Sequence, residues 1–210
     1  MRKIQFSKGE HYHIFNRGTD KRNIIADEED QQRFFQSIEE FNTISPIGSI
    51  YENSFLKRTN NQLGSRASKL VNFICYCVNP NHYHFLLEQV AEGGIPKFMH
   101  RIGTGYTKYF NKKYGRSGVL FQGAFKAIPV DSNEYLLHLS AYINLNNKVH
   151  QLGSSASKLS WEEYISGIDG FCEKGIILDQ FKNATDYRKF AEASLKDIIE
   201  RKDMEKLRLE

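Results

Sequence analysis

The spacing of apolar residues divides the first 150 positions into short apolar runs and longer segments in which apolar residues recur every three or four positions. The short runs predict strands at 11–18, 71–78 and 82–90, and one or two more within 119–130. The helical spacing predicts helices at about 28–42, 96–112 and 132–147. The resulting order β-α-β-β-α-β-α is typical of an α+β fold with an antiparallel sheet, of the split βαβ type.

Turn and capping residues set the limits of these elements. Asp27 precedes an acidic helical turn and predicts a helix start, because its carboxylate can accept the unpaired amide hydrogens there. The Asn-Pro-Asn sequence at 79–81 predicts a tight antiparallel hairpin. Asp131, three residues before a glutamate, resembles a capping box and predicts the start of the third helix. Gly103 and Gly105 weaken the second helix and predict a kink.

The chain divides into two parts by pattern. Residues 1–150 hold the predicted strands and three helices, whereas 151–210 predict a mainly helical C-terminal extension that ends in a charged amphipathic helix. Within the first part, 44–69 is rich in Ser, Asn and Gly and predicts a loop or insertion. The nonapeptide QLGSRASKL at 62–70 recurs as QLGSSASKL at 151–159. Both copies are predicted to be flexible connectors.

The composition favours a globular chain without a membrane anchor. Apolar residues make up 40% of the sequence, which is enough for a core, and no run of 18 apolar residues predicts a transmembrane helix. The first residues lack the apolar segment of a signal peptide. The three cysteines, Cys75, Cys77 and Cys172, do not make a disulfide framework. These features predict a cytoplasmic protein.

The positive charge is concentrated in one stretch. The chain has a net charge of +4, yet no acidic residue occurs between Glu92 and Asp131. Several cations of the second helix fall within about 60° on one face, which suits a phosphate backbone, although each alone could be solvated surface. Polar groups in the turn after the first strand could contact the same ligand. The residues predicted to bind DNA are Asn16, Arg17, Lys97, Arg101, Lys108, Lys112, Arg116 and Lys126.

His82 and His84 are candidate metal ligands. Residues two apart in a strand point to the same side, so the two imidazoles can converge on one divalent ion. The alternative is a pair of half-buried histidines that neighbouring groups satisfy. His11 and His13 have the same spacing, so spacing alone does not identify a site. The pair at 82 and 84 differs because it follows a tight turn, where an active site can open.

Tyr142 and Asn146 are candidates for the rest of the site. They lie one helical turn apart and face the same way, so the Asn146 amide oxygen could be a third ligand. Tyr142 could then stand beside the metal as a nucleophile, forming a covalent phosphotyrosine with a phosphodiester. The alternative for Tyr142 is core packing, since it lies on the apolar side of its helix.

Four separated motifs resemble one known family. NPNHYHFLL, followed about 60 residues later by YLLHLSAYINLNN, resembles the single-tyrosine HUH transposases, most closely the REP-associated type. HYHIFNRGTDKRNI resembles the first strand and turn of that family, and KYFNKKYGRSGVLFQGAFKA its basic segment. The resemblance runs from about residue 10 to 150, apart from the 44–69 insertion. The chain departs from the family pattern at Asn79, where Met is usual, and at Asn147, where Pro is usual.

This resemblance implies both a fold and a reaction. It implies that 1–150 is a ferredoxin-like transposase domain in which His82, His84 and Asn146 bind Mg²⁺ or Mn²⁺ and Tyr142 is the nucleophile. The implied substrate is single-stranded DNA, with a hairpin near the site, which is cut and rejoined through a 5′-phosphotyrosine. A location at the prokaryotic nucleoid is also expected, while the sequence leaves open whether the chain acts as a monomer or as a homodimer.

Three alternatives stay open on sequence alone. Cys75 and Cys77 with His82 and His84 could form a structural zinc site, although zinc usually prefers wider cysteine spacing. A DNA-binding relative without catalytic activity could keep the same fold. Another HUH endonuclease, of the replication or relaxase type, would usually be larger and often carries two tyrosines or a helicase.

Overall fold

A five-stranded antiparallel sheet organises the protein. The computed structural model describes residues 4–54, 68–153 and 156–207. Its strands are β1 His11–Arg17, β2 Val71–Val78, β3 His82–Gln89, β4 Lys126–Pro129 and β5 Lys158–Leu159. Their order across the sheet is β4-β1-β3-β2-β5. The predicted α+β fold is confirmed, because the first four strands and the two helices between them form the split βαβ arrangement of the ferredoxin-like fold.

Helices cover both faces of this sheet. They are α1 Glu28–Phe41, α2 Gly94–Lys113, α3 Asn133–Asn144, α4 Asn146–Val149, α5 Trp161–Ile165, α6 Gly175–Leu178 and α7 Ala184–Leu207. In β3, Tyr83 and Phe85 point into a core shared with α1 and α2. Leu86 points the other way, into a core shared with α3, α5 and α7. The alternation of β3 therefore assigns odd and even positions to different layers.

The sequence correctly predicted capping residues at the start of the first and third helices, but it misplaced the cap and the end of the third. Asp27 caps α1 as predicted, its Oδ1 accepting from the Asp30 amide at 2.9 Å. The third helix is capped by Ser132 instead of Asp131, since Ser132 has extended backbone and its Oγ accepts from the Tyr135 amide at 3.2 Å. That helix also ends earlier than predicted, because Leu145 has non-helical torsion angles of −116° and 17°.

The second half of the chain adds to the sheet as well as to the helices. The repeat copy at 151–159, predicted to be a connector, ends in β5, which pairs with Cys77 and Val78 of β2. That prediction is therefore wrong for its last residues, because they gain backbone pairing at an open sheet edge. Most of the first copy lies outside the described residues, as does 55–67 of the predicted insertion. In the described part of the chain, no helix is both long and apolar enough to cross a bilayer.

Helix α2 is continuous through both of its predicted weak points. A Cβ added at Gly105 would lie 2.6 Å from two ring carbons of Phe41, whereas one added at Gly103 would meet no atom within 4 Å. Gly105 is therefore explained by the close approach of α1 to α2 and not by a kink.

This difference predicts opposite effects of two neighbouring substitutions. Gly105→Ala should lower the free energy of unfolding by about 1–2 kcal/mol, because crowding against the buried Phe41 ring outweighs the gain in helix propensity. Gly103→Ala should raise it by up to about 1 kcal/mol, since only the propensity gain applies. Urea unfolding of both variants measures the contrast. Equal shifts in the two variants would contradict the proposed α1–α2 contact.

Candidate active site

A polar cleft of about 580 Å³ opens on the sheet face that α3 covers. The ends of β1 and β3, the turn between β2 and β3, and the α3–α4 segment meet there. Its lining residues are Phe15, Asn16, Arg17, Lys21, Asn81, His82, His84, Gln122, Lys126, Tyr142, His150 and Leu152. The tertiary structure therefore brings both candidate metal-binding histidines and the candidate nucleophile to one opening.

His82 and His84 share the cleft face of β3, as the strand alternation predicts. Their ring centroids are 5.3 Å apart. His82 Nδ1 lies 2.6 Å from Asn81 Oδ1. The amide oxygen can only accept, so Nδ1 carries the proton and Nε2 carries the lone pair. Metal-binding histidines are commonly oriented in this way, with the second ring nitrogen donating to a fixed oxygen.

His13 fixes His84 in a comparable way. His13 Nε2 lies 2.9 Å from His84 Nδ1, across the β1–β3 pairing. His13 is only 6% exposed, and burial lowers its pKa to about 4. A neutral His13 can accept from His84 Nδ1–H, which places the lone pair of His84 on Nε2. His13 of the first H-x-H pair thus supports His84 of the second, a role that sequence spacing did not predict.

The buried His13 also predicts acid sensitivity. Its pKa is about 4 in the folded protein and about 6.5 when unfolded, so the unfolded chain binds more protons as the pH falls through this window. Stability should be full above about pH 6.5 and fall by about 3 kcal/mol as the pH approaches 4. Denaturant titrations from pH 7.5 to 4 should show a smaller loss in His13→Gln. The matched control is His100→Gln, at an exposed histidine, which should keep the wild-type slope. An unchanged slope in His13→Gln would contradict the assignment.

Tyr142 and Asn146 meet even though α3 ends between them. Burial raises the pKa of Tyr142, and a side-chain hydrogen bond with Asn146 opposes that shift. The Tyr142 ring stands edge-on to His84, with ring centroids 5.4 Å apart. Asn146 is fully buried, and its Oδ1 lies 3.3 Å from His82 Nε2. The phenol, the amide oxygen and the imidazoles therefore form one cluster.

The cysteines do not complete a zinc site with the histidines. Cys75 is buried in the apolar cluster beneath α3, while Cys77 Sγ contacts Asn79 Oδ1 at 3.3 Å. Burial raises the pKa of both thiols. Across the described ranges, no group of three or more His, Cys, Asp or Glu residues could hold a metal ion. A metal here would depend on histidine and amide ligands, so the cysteine-based alternative has no support in the structure.

Three of the predicted DNA-binding residues lie in the cleft. Arg17 Nε donates to Gln122 Oε1, and Lys126 Nζ lies 6.0 Å from the centre of the Phe15 ring. Asn16 is largely buried and donates to Gly123 O at 3.2 Å. Lys21, which the sequence reasoning missed, adds a third cation to the lining. The cleft therefore places positive charge beside Tyr142, the candidate nucleophile.

The basic stripe of α2, formed by Lys97, Arg101, Lys108 and Lys112, lies on the opposite side of the sheet. Arg101 donates to the carbonyls of Phe41 and Ile44, so it holds the chain that leaves α1. Lys97 Nζ donates to Glu92 O at 3.0 Å. Lys108 and Lys112 line a separate cleft of about 710 Å³ between α1 and α2.

Arg116, just beyond α2, has a local partner. Its Nη1 donates to Asn111 Oδ1 at 3.1 Å. The structure does not bring the α2 cations together with Tyr142, and the DNA contacts of Arg116 and of the α2 stripe remain predictions.

The central part of the chain matches a known family. Residues 49–146 match the family model described as IS200-like transposase, and this span contains His82, His84, Tyr142 and Asn146. The resemblance to single-tyrosine transposases is thereby confirmed. No curated protein matches the chain in sequence.

Solved structures share the fold at low sequence identity. A REP-associated tyrosine transposase bound to a REP hairpin superposes with a TM-score of 0.53 at 13% identity, covering 81% of this chain and 88% of that one. A protein from Deinococcus radiodurans R1, named as a candidate transposase, gives a TM-score of 0.39 at 14% identity, with 68% and 95% coverage. At 13% identity, the similarity to the REP-associated tyrosine transposase shows a shared fold.

Proposed function

We propose that this protein is a metal-dependent transposase that cuts and rejoins single-stranded DNA through a 5′-phosphotyrosine. The family match supports a transposase acting on DNA. Metal dependence and a tyrosine nucleophile are proposed from one observation. This is the cluster of Tyr142, His84, His82 and Asn146 in one basic cleft. A phenol beside imidazole and amide groups suits covalent catalysis on a phosphodiester.

The donor atoms fit a divalent cation. His82 Nε2 and Asn146 Oδ1 are 3.3 Å apart, close to the separation of neighbouring ligands around an ion with bonds of about 2.1 Å. The amide oxygen and the phosphate oxygens of DNA are donors that suit Mg²⁺ or Mn²⁺, and the imidazole nitrogens are donors that bind divalent transition metals. His82, His84 and Asn146 would hold the ion, which when bound would act as a Lewis acid on the scissile phosphate.

The chain's own residues supply the rest of the reaction. Tyr142 Oη forms a bond to phosphorus and loses its proton, while the bond to the 3′ oxygen breaks and that oxygen leaves as a hydroxyl. The side-chain hydrogen bond with Asn146 lowers the pKa of Tyr142 against the effect of burial, so it favours the ionised phenol that attacks. Because one phosphodiester replaces another, a 3′-hydroxyl can reverse the step and rejoin strands without external energy. His13 keeps His84 in the tautomer that presents Nε2.

The cleft charges favour a nucleic-acid strand as substrate. Arg17, Lys21 and Lys126 surround the nucleophile and would neutralise backbone phosphates. A hairpin beside the cleavage site is part of the proposal, because a structural relative is bound to a REP hairpin. A homodimer and action at the nucleoid are proposed on the same family resemblance.

The test is formation of a covalent adduct. The protein is incubated with end-labelled single-stranded hairpin DNA taken from the sequence flanking its gene, with Mn²⁺ present, and resolved on a denaturing gel. The proposal expects a slow-migrating labelled band that requires Mn²⁺ and disappears with EDTA. DNA binding without any adduct across the flanking hairpins would instead favour a DNA-binding protein that lacks catalytic activity.

A further inference from the structure

The side chain of Asn79 lies at the centre of the cluster, in a position where the family pattern has methionine. It is fully buried. Its Nδ2 lies 2.7 Å from Asn146 Oδ1 and 2.7 Å from His82 Nε2. One amide group therefore donates its two hydrogens to the two acceptor atoms that would hold the ion.

The other end of the same amide is held from a distant part of the chain. Asn79 Oδ1 accepts from Ser157 Oγ at 2.6 Å and contacts Cys77 Sγ at 3.3 Å. Ser157 belongs to the second copy of the repeated nonapeptide and precedes β5. This contact gives that copy a structural role next to the candidate site.

A cation shared by His82 and Asn146 must displace the Asn79 hydrogens, because both compete for the same lone pairs. The Ser157 hydroxyl and the Cys77 thiol can accept as well as donate. The terminal torsion of asparagine is broad and roughly two-fold. Asn79 can therefore turn by half a rotation, keep Ser157 as a partner, and direct Oδ1 to where its hydrogens were.

We infer that Asn79 is a further ligand of the metal site, through Oδ1, in the metal-bound protein. The inference rests on the proposed function, since it concerns the same ion. Asn79 Nδ2, whose place Oδ1 would take after the rotation, lies 2.7 Å from His82 Nε2 and 2.7 Å from Asn146 Oδ1, and those two atoms are 3.3 Å apart. Three donor atoms this close together can contact one cation. Ser157 then holds the Asn79 amide through a hydrogen bond on the side away from the ion.

Calorimetric titration with Mn²⁺ alone, without DNA, tests the ligand role. Asn79→Met and Asn79→Ala should each bind Mn²⁺ at least about 10-fold more weakly than wild type, because a ligand is lost. Asn79→Asp should bind more tightly, since a carboxylate replaces a neutral oxygen. The matched control is Asn72→Met in β2, the strand that Asn79 directly follows, where the Asn72 amide donates to Glu88 at 3.0 Å. It should bind as wild type does.

The opposite change in Mn²⁺ affinity is expected if the Asn79 amide only competes with the metal for the lone pairs of His82 and Asn146. If the Asn79 hydrogens merely block the site, Asn79→Met and Asn79→Ala should bind Mn²⁺ more tightly than wild type. Tighter or unchanged binding in Asn79→Ala overturns the inference, and this smaller side chain decides the question should the methionine variant not fold.

A second readout separates this inference from the function itself. The electron paramagnetic resonance spectrum of bound Mn²⁺ should change between wild type and Asn79→Ala at saturating metal. If wild type shows no Mn²⁺ binding that depends on His82, the proposed metal site fails and the inference fails with it. If wild type binds through His82 while Asn79→Ala gives the same affinity and spectrum, only the inference fails.

Discussion

Replacing Tyr142 by phenylalanine should abolish the covalent protein–DNA adduct and leave DNA binding within about twofold of wild type. The substitution removes one oxygen, the atom that would form the bond to phosphorus. Loss of a nucleophile commonly costs about 10³-fold or more in rate. The fold should tolerate the change, because the half-buried Tyr142 ring keeps its packing beside His84.

Tyr135→Phe is the matched control for this prediction. Tyr135 lies on the same helix, and burial raises its pKa as well, but it does not line the cleft. The adduct should form normally in that variant. Denaturing gels measure the adduct, and fluorescence anisotropy with the same hairpin measures binding. An adduct that persists in Tyr142→Phe would place the nucleophile elsewhere and refute the proposed chemistry.

The second large effect is expected from removing both cleft-facing imidazoles of β3. The double variant His82→Ala, His84→Ala should lose measurable Mn²⁺ binding and reduce adduct formation by about 10³-fold or more, because the remaining amide oxygens cannot hold a divalent ion alone. Removal of the ion from wild type by EDTA should match this loss.

His11→Ala is the control for the histidine pair. His11 belongs to the other H-x-H sequence but lies at the far end of β1, opposite Glu88. Its removal should leave Mn²⁺ affinity and adduct formation close to wild type. Retained Mn²⁺ affinity in the double variant would show that the ion is held by other groups, and would remove the basis for ligands on β3.

The most basic stretch of the sequence does not supply most of the positive charge in the cleft, because the two lie on opposite faces of the sheet. The cations of α2 stand out in the sequence because no acidic residue lies between Glu92 and Asp131. In the structure, however, α2 packs on the face of the sheet away from Tyr142. Lys113 of that helix is engaged by Asp27 and by the fully buried Asp30, at 2.7 and 3.0 Å. Part of the basic stretch therefore stabilises the α1–α2 layer.

Much of the fold follows from local patterns in the sequence. The order of strands and helices up to residue 150, the Asp27 cap and the Asn-Pro-Asn hairpin depend on residue periodicity and turn chemistry, which act over a few positions. The sequence also determined that His82 and His84 share one face, because strand alternation is a property of the backbone. Pairing Tyr142 with these histidines, in contrast, required the resemblance to a known family.

The tertiary structure alone decided which distant groups complete the site. His13 reaches His84 through the register of β1 on β3, and Ser157 reaches Asn79 because β5 joins the edge of β2. Such contacts depend on pairing across many residues, and no local pattern encodes that pairing. The sequence thus determined the elements and the face of the candidate ligands. The orientation of the His84 lone pair was decided only by the tertiary structure, because its partner His13 comes from a strand 71 residues away.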